Sequence, residues 1–481
     1  MARELLAPEG LPPSLVEPIK AYLGRQRWYA GKGAPGELRT VESGLLARLE
    51  GSSGRLLWAI VEAAGSQYQL LVAERPSSEG AERVKGHADV FIGDVDGLAY
   101  YDATVDGEMA LALLAAASGG DERAQRARPL AVEQSNTSIV YDDRLILKVF
   151  RRLSPGANPD VEVTSLLAGA GFSHVARPLV RWQRAGLDLA FGQQYLAGGT
   201  DGWALALTSL RDFYAATDLG EPHQPALSGG DFAAEATRLG QMTAEMHLAM
   251  AKVFATSRPP GRDWKAFVAS LSSLVERLGP ALGGSAVPLL ERLRAVRNPG
   301  PAVRVHGDYH LGQVMRTDRG WYVLDFEGEP NRPLEERTRT TSVLKDVAGM
   351  LRSLQYASRF ALVERGGAVP TGAAPLAQAW EDRNRSAFLH GYHGCKGIEQ
   401  LLPPAPDDRG AVLMAFELDK ALYELAYEEA FRPSWAAIPL AALERLLSVP
   451  VGELTYRPVP PPARGEVREA QGEHEGHDAD E

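Results

Sequence analysis

RVHGDYHLGQVMRTDRGWYVLDFEGEP, Arg304 to Pro330, is the stretch on which the fold turns. Two short apolar runs, QVM and WYVL, flank the turn-forming TDRG, the pattern of a β-hairpin entered from a loop. Asp308 precedes Gln313 by five residues, and Asp325 follows Gln313 by twelve, after WYVL. The hairpin therefore predicts that Gln313 and Asp325 lie side by side. Such a set suits phosphoryl transfer. One carboxylate orients an attacking hydroxyl and accepts its proton, while an amide oxygen and a second carboxylate hold Mg2+ against a triphosphate. The other reading is a polar turn beside a buried strand, with Asp308 as a cap; it accounts for any one residue but not for the joint spacing. His306 and His310, on either side of Asp308, are read as braces of the loop.

Working outward, the chain has 481 residues, too many for one ordinary core, so two or three domains are expected. Its 45% apolar and 23% charged residues are those of a globular protein. A net charge of -11 argues against nucleic acid or an anionic membrane as partner, while leaving room for a local basic pocket. The one cysteine, Cys395, cannot form an intramolecular disulfide. No run approaches 18 uncharged apolar residues, and MARELLAPEGLPPSL lacks an apolar signal core. A cytoplasmic protein with no membrane partner is expected.

The chain divides by pattern into an α+β arrangement. Residues 1–85 carry a helical stretch, LVEPIKAYLGRQRWYA, then strand-like LLWAIVEA and YQLLVAE; the breaker-rich ERPSSEGAERVKG reads as a boundary. Residues 86–202 mix a helix at GEMALALLAAAS with strands at SIVYDD, RLILKVF and LDLAFGQQYL. Residues 203–456 are mostly helical apart from the opening hairpin, with long runs at DFAAEATRLGQMTAEMHLAMAKVF and MAFELDKALYELAYEEAF. Residues 457–481, with four prolines and then an acidic run, read as a disordered tail whose His474 and His477 are solvated. GKGAPG, Gly31 to Gly36, matches the dinucleotide fingerprint in letters, but Pro35 lies inside it and no strand precedes it, so it is read as a surface loop.

The apolar RLILKVF holds Lys148, which is costly there unless paired or at an edge facing solvent. Paired, it would clamp the α- and β-phosphates of ATP, with Glu162 of NPDVEVTSLLAGAG as the carboxylate that holds it. Glu162 could equally be an ordinary first-turn glutamate. In EQSNTSIVYDD, Ser135, Asn136 and Thr137 form either a phosphate-binding turn or a plain hairpin turn. The spacing of Asp308, Gln313 and Asp325 parallels the catalytic-loop Asp, its Asn and the D-F-G aspartate of protein kinases.

HGDYHLGQV with LDFEGEP resembles the aminoglycoside phosphotransferase-like, eukaryotic-kinase-like fold. QRWYAGK, EQSNTSIVYDDRLILKVFRRL, GTDGWALAL, DVAGMLRS and FELDKALYELAYE with RPSW narrow the resemblance to the bacterial maltokinases, over about residues 12–448. That resemblance implies a two-lobed kinase-like fold: a cap at 1–85, the rest of a β-rich N-lobe at 86–202, and a mostly helical C-lobe at 203–456. It implies Asp308 as base, Gln313 and Asp325 as Mg2+ ligands and Lys148 as phosphate anchor. It also implies an activity, the formation of α-maltose 1-phosphate and ADP from maltose and ATP for α-glucan (glycogen) synthesis. For the sugar, Glu327 follows the metal ligand directly, and Glu417, Lys420 and Glu424 share one helix face beside Tyr423. A solvated acidic face is the competing reading of that helix. Two other functions stay open: a glucosamine kinase of the same fold, and a catalytically inactive sugar or nucleotide sensor.

Overall fold

The computed structural model describes residues 10–448 except 32, 50, 52, 131–135, 219–223, 227–229, 255, 257–260, 283–285, 330–331 and 367–373. Ser135 and the acidic tail fall outside the described residues. The chain forms two compact units, one made of residues 1–200, 306–308 and 313–339 and the other of the remainder.

The first unit carries two large antiparallel sheets besides the hairpin Val314–Thr317/Gly320–Val323. One runs in the order Arg39–Arg48, Arg55–Ala63, Ser66–Pro76, Leu98–Asp102, Phe91–Val95, with Arg152–Leu153 also paired to Ser66–Pro76. Arg55–Ala63 and Ser66–Pro76 are buried almost throughout, because both faces of this sheet are covered. Leu56, Trp58, Ile60 and Leu71 face a core shared with the helix Gly107–Ala117 and the second sheet, while Leu57, Ala59, Val61 and Leu70 face the helix Val16–Leu23. The period-two alternation of side chains thus serves two cores at once.

Two local expectations change. ERPSSEGAERVKG contains a helix, Ser77–Arg83, and the sheet runs on past residue 85 through Phe91–Val95 and Leu98–Asp102. Arg75 and Arg83 both reach Glu108, at 2.7 Å each, which ties this segment into the unit. The N-terminal helix stops at Leu23; Trp28 and Tyr29 leave it and pack their rings on Tyr68. After Gly31–Gly36 the chain enters the strand Arg39–Arg48, not a helix, so the fingerprint letters have no phosphate-binding frame.

The second sheet is ordered Pro178–Arg184, Leu187–Gln194, Leu145–Phe150, Asn136–Tyr141, Ala127–Pro129. Lys148 stands in its centre, opposite Phe191 on one side and Ser138 on the other. The hairpin pairs Val314–Thr317 with Gly320–Val323 and closes between Thr317 and Gly320, at the TDRG turn.

The second unit is helical, built on Gly202–Asp218, Ala233–Val253, Leu344–Gly366, Ala374–Gly394 and Pro406–Phe431 among others. Its core holds satisfied polar groups: His247 Nδ1 meets the Tyr392 hydroxyl at 2.9 Å and His247 Nε2 meets Asp346 at 3.2 Å. Asp346 and Arg352 therefore act in structural pairs. No helix among the described residues is long and apolar enough to cross a membrane.

Candidate active site

The helix Pro159–Gly169 begins where Asn158 caps the Asp160 N–H at 2.9 Å and Pro159 occupies the first turn. That start fixes the helix rotation. Asp160, Val163, Thr164 and Leu167 form its buried face, and Glu162, two residues and about 200° on, points elsewhere. The carboxylate on Lys148 is accordingly that of Asp160, with Nζ 3.0 Å from Oδ2. This corrects the expected Lys148–Glu162 pair. Sequence reading missed Asp160 although the signal was present, since an Asn-Pro start followed by apolar residues at i+3 and i+7 assigns the inner acid.

Asp160 does a second job. Its Oδ1 accepts the Phe326 N–H at 3.0 Å, so one carboxylate holds both Lys148 and the turn after the hairpin. In that turn Asp325 adopts a left-handed backbone, φ 56°, a conformation costing an L residue on the order of 1 kcal/mol. Lys148 Nζ reaches Asp325 Oδ1 as well as Asp160. The Leu324 N–H donates to the Gln313 carbonyl at 2.9 Å, so Gln313 and the Leu324–Asp325 bend are neighbours, as expected.

His306 braces the loop. Its Nδ1 accepts the Asp308 N–H at 3.4 Å, and its Nε2 lies 2.8 Å from the Leu324 carbonyl, which assigns the proton to Nε2. The buried imidazole thus spans from Asp308 to the residue before Asp325. His310 Nδ1 accepts the N–H of Gly312 at 3.1 Å. Gly307, at φ 89°, makes the turn between His306 and Asp308.

Glu327 is half-buried, and Asn136 Nδ2 donates to it at 3.2 Å. Burial raises its carboxyl above the ordinary range; Lys148 opposes this, and Asp160 and Asp325 add to it. Thr137 Oγ1 accepts from Arg151 Nε at 2.8 Å. Asn136 and Thr137 thus open the strand Asn136–Tyr141, paired with Phe150 and Val149, and do not form the expected turn; their side chains are partly committed inside the unit.

Gln313 and Asp325 offer one amide and one carboxylate oxygen, hard donors that suit Mg2+ completed by phosphates and water. No group of three His, Cys, Asp or Glu that could hold a metal occurs among the described residues. The donor set fits a cation shared with a phosphate ligand.

The helix Pro406–Phe431 carries the other expected residues, and its face is not a solvated one. Glu417 is buried and bound to Arg385 at 2.8 Å, which withdraws it from the sugar-contacting role expected of it. Glu424 pairs with the buried Arg352. Lys420 Nζ lies 5.3 Å from the Tyr423 ring centroid. One turn on, Glu428 accepts from Arg432 Nη2 and from the Tyr356 hydroxyl, both at 2.7 Å. Trp203, Tyr356, Phe360 and Trp435 form a ring cluster beside these groups, with Trp203–Phe360 centroids at 5.4 Å and Phe360–Trp435 at 5.1 Å. None of these four aromatics was singled out in the sequence.

Residues 22–106 match the maltokinase N-terminal cap domain. The glucosamine kinase of Mycolicibacterium smegmatis is 31% identical over 356 residues, 69% of this chain and 82% of that protein. The glucosamine kinase of Streptacidiphilus jiangxiensis is 29% identical, over 66% of this chain and 73% of its own length. A solved glucosamine kinase in complex with glucosamine, ADP and inorganic phosphate has the same fold, with a TM-score of 0.64 at 21% identity over 93% of this chain and 100% of that one. Residues 126–385, more than half of the chain, match the phosphotransferase enzyme family, and the chain is a member of that family.

Proposed function

We propose that the protein is an ATP-dependent sugar kinase that phosphorylates maltose at its anomeric hydroxyl. The observation that carries the kinase reading is the Lys148–Asp160–Asp325 cluster with Gln313 beside it. Lys148 anchors the α- and β-phosphates, and Asp160 orients it. Gln313 and Asp325 would hold Mg2+, which when bound would neutralise charge on the phosphates. Asp308, its backbone fixed through His306, takes the proton as the anomeric oxygen attacks the γ-phosphorus in line. The bond from that phosphorus to the bridging oxygen breaks, and ADP leaves with the electron pair. Positioning and charge neutralisation supply most of the acceleration. Asp308→Asn should leave folding and ATP binding intact and lower turnover by at least ~10²-fold, the lower end of a positioned base. Near-normal turnover would remove Asp308 from this role.

The choice of maltose rests on the cap match and on the acidic helix. An ammonium group needs a carboxylate not already neutralised, yet Glu417, Glu424 and Glu428 each hold an arginine. What remains is an assembly of near-neutral pairs and aromatic rings, chemistry suited to neutral sugar rings. Glucosamine is the second reading, favoured by the names of the two curated relatives. An ATP-consumption assay with maltose, glucose and glucosamine decides between them. Phosphorylation of glucosamine without maltose would overturn the maltose assignment and leave the kinase reading standing.

A further inference from the structure

The sheet-bearing unit contains a cleft of about 530 Å3 whose lining includes Asp143, Arg144, Arg177, Gln194, Tyr195 and Arg319, and none of the residues around Lys148. Its three arginines come from three segments. Arg144 follows a turn in which Asp142 and Asp143 are both left-handed, Arg177 precedes the strand Pro178–Arg184, and Arg319 lies in the hairpin turn. Backbone bonds fix these segments without using the guanidinium groups. The Tyr195 N–H donates to the Arg144 carbonyl at 2.8 Å, and the Gln194 N–H to that of Arg177 at 2.9 Å. The hairpin is tied nearby, with the Val323 N–H 2.8 Å from the His174 carbonyl.

The charges are unbalanced. Arg144 is 2.7 Å from Glu122, but among the described residues Arg177 and Arg319 have no carboxylate partner. Asp143, the acid in the lining, is 3.5 Å from Arg128. Converging cations in a concave site of an acidic protein attract an anion, and guanidinium forks match phosphate oxygens. The Gln194 amide and Tyr195 can engage a hydroxylated ring, and the volume falls within the range of small-molecule sites.

We propose that this cleft is a second, non-catalytic site for a phosphate ester of a small hydroxylated compound. It adjoins the catalytic strand, because Gln194 pairs with Leu145, three residues before Lys148.

The test is calorimetric titration of the full chain with inorganic phosphate and with glucose 6-phosphate. The proteins compared are the unmodified chain, the Arg177→Gln/Arg319→Gln double variant and Lys148→Ala. Glucose 6-phosphate should bind saturably and more tightly than phosphate. The double variant should weaken it by at least ~10-fold, as loss of charge-assisted bonds requires. Lys148→Ala should bind it unchanged. The two arginines are exposed, so the melting temperature of the double variant should be that of the unmodified chain. Unaltered affinity in the double variant, or loss of binding in Lys148→Ala, would overturn the site. Phosphate binding more tightly than the ester would overturn the ester assignment in favour of the free ion.

Discussion

Lys148 lies inside the strand Leu145–Phe150 and Arg151 directly follows it; each is bound to aspartate, and the surroundings of the two differ. Arg151 and Asp102 have side chains 1% and 6% exposed, while Asp325, on Lys148, is 44% exposed. Arg151 Nη2 also meets Thr104 at 3.1 Å, its guanidinium lies 5.4 Å from the Trp28 ring centroid, and Tyr22 donates its hydroxyl to Asp102. Every partner there is internal. Lys148 instead divides its charge between the buried Asp160 and the part-exposed Asp325, so one of its two partners faces solvent. The difference separates a charge whose partners are all internal from one that the proposed mechanism can use, although both are cations held by aspartate.

Breaking the sealed pair should have the largest effect. Arg151→Ala strands the Asp102 carboxylate, and loss of one partner of a buried pair costs about 3–5 kcal/mol of stability. Urea unfolding measures it; a loss below about 1 kcal/mol would mean that the two pairs do not differ as described. Lys148→Ala should lower turnover by at least ~10²-fold through lost phosphate stabilisation, and it should lower the melting temperature less than Arg151→Ala does, by the cost of stranding Asp160 alone. A large melting shift with activity retained would erase the distinction.

A smaller effect sharpens the assignment within the open pair. Asp160→Asn should raise KM for ATP several-fold, on the order of 1 kcal/mol, because the lysine and the Phe326 N–H lose a charged acceptor. Glu162→Gln should change nothing measurable. Equal effects in steady-state kinetics would undo the correction from Glu162 to Asp160.

The smallest effect is in pH dependence, where the two clusters titrate in opposite senses. Burial alone would raise the Asp102 carboxyl, but Arg151's charge and hydrogen bonds outweigh it and hold it below the ordinary range. Its contribution is present above the unfolded-state value, about 3.9, and is lost as pH falls through the folded value. Glu327 is raised by burial, so its contribution is full below about pH 4.3, its unfolded value, and is lost as pH rises through the folded one. Glu327→Gln should therefore stabilise the protein above that window and not below it, as melting curves across pH would record.

The sequence disclosed what local chemistry dictates. TDRG between short apolar runs names its own hairpin, and a lysine in the middle of RLILKVF must be paired or exposed. The Glu162 error came from choosing an acid by its position after the strand without first fixing where the helix begins. The helix Ser77–Arg83 was hidden by its Ser and Gly content and the Pro76 before it, with tertiary ties to Glu108 outweighing weak propensity. Glu417 and Glu424 read as an open acidic face because Arg385 and Arg352 lie 32 and 72 residues away in the chain. Long-range pairing of that kind leaves no local trace.

Gly307 and Gly328 sit at φ 89° and 70°, and a β-carbon on Gly307 would lie 3.5 Å from the Gly328 Cα. One on Gly328 would come within 3.2 Å of Arg337 Cβ. These two positions touch no substrate in the proposed mechanism, yet any side chain there strains the backbone just before Asp308 and just after Asp325. In a saturation-mutagenesis library they would score as intolerant as the carboxylates themselves. Ranking positions by loss of activity alone would therefore list two glycines among the chemical groups, and a parallel measure of folded protein abundance is what separates hinges of the backbone from groups that act on a ligand.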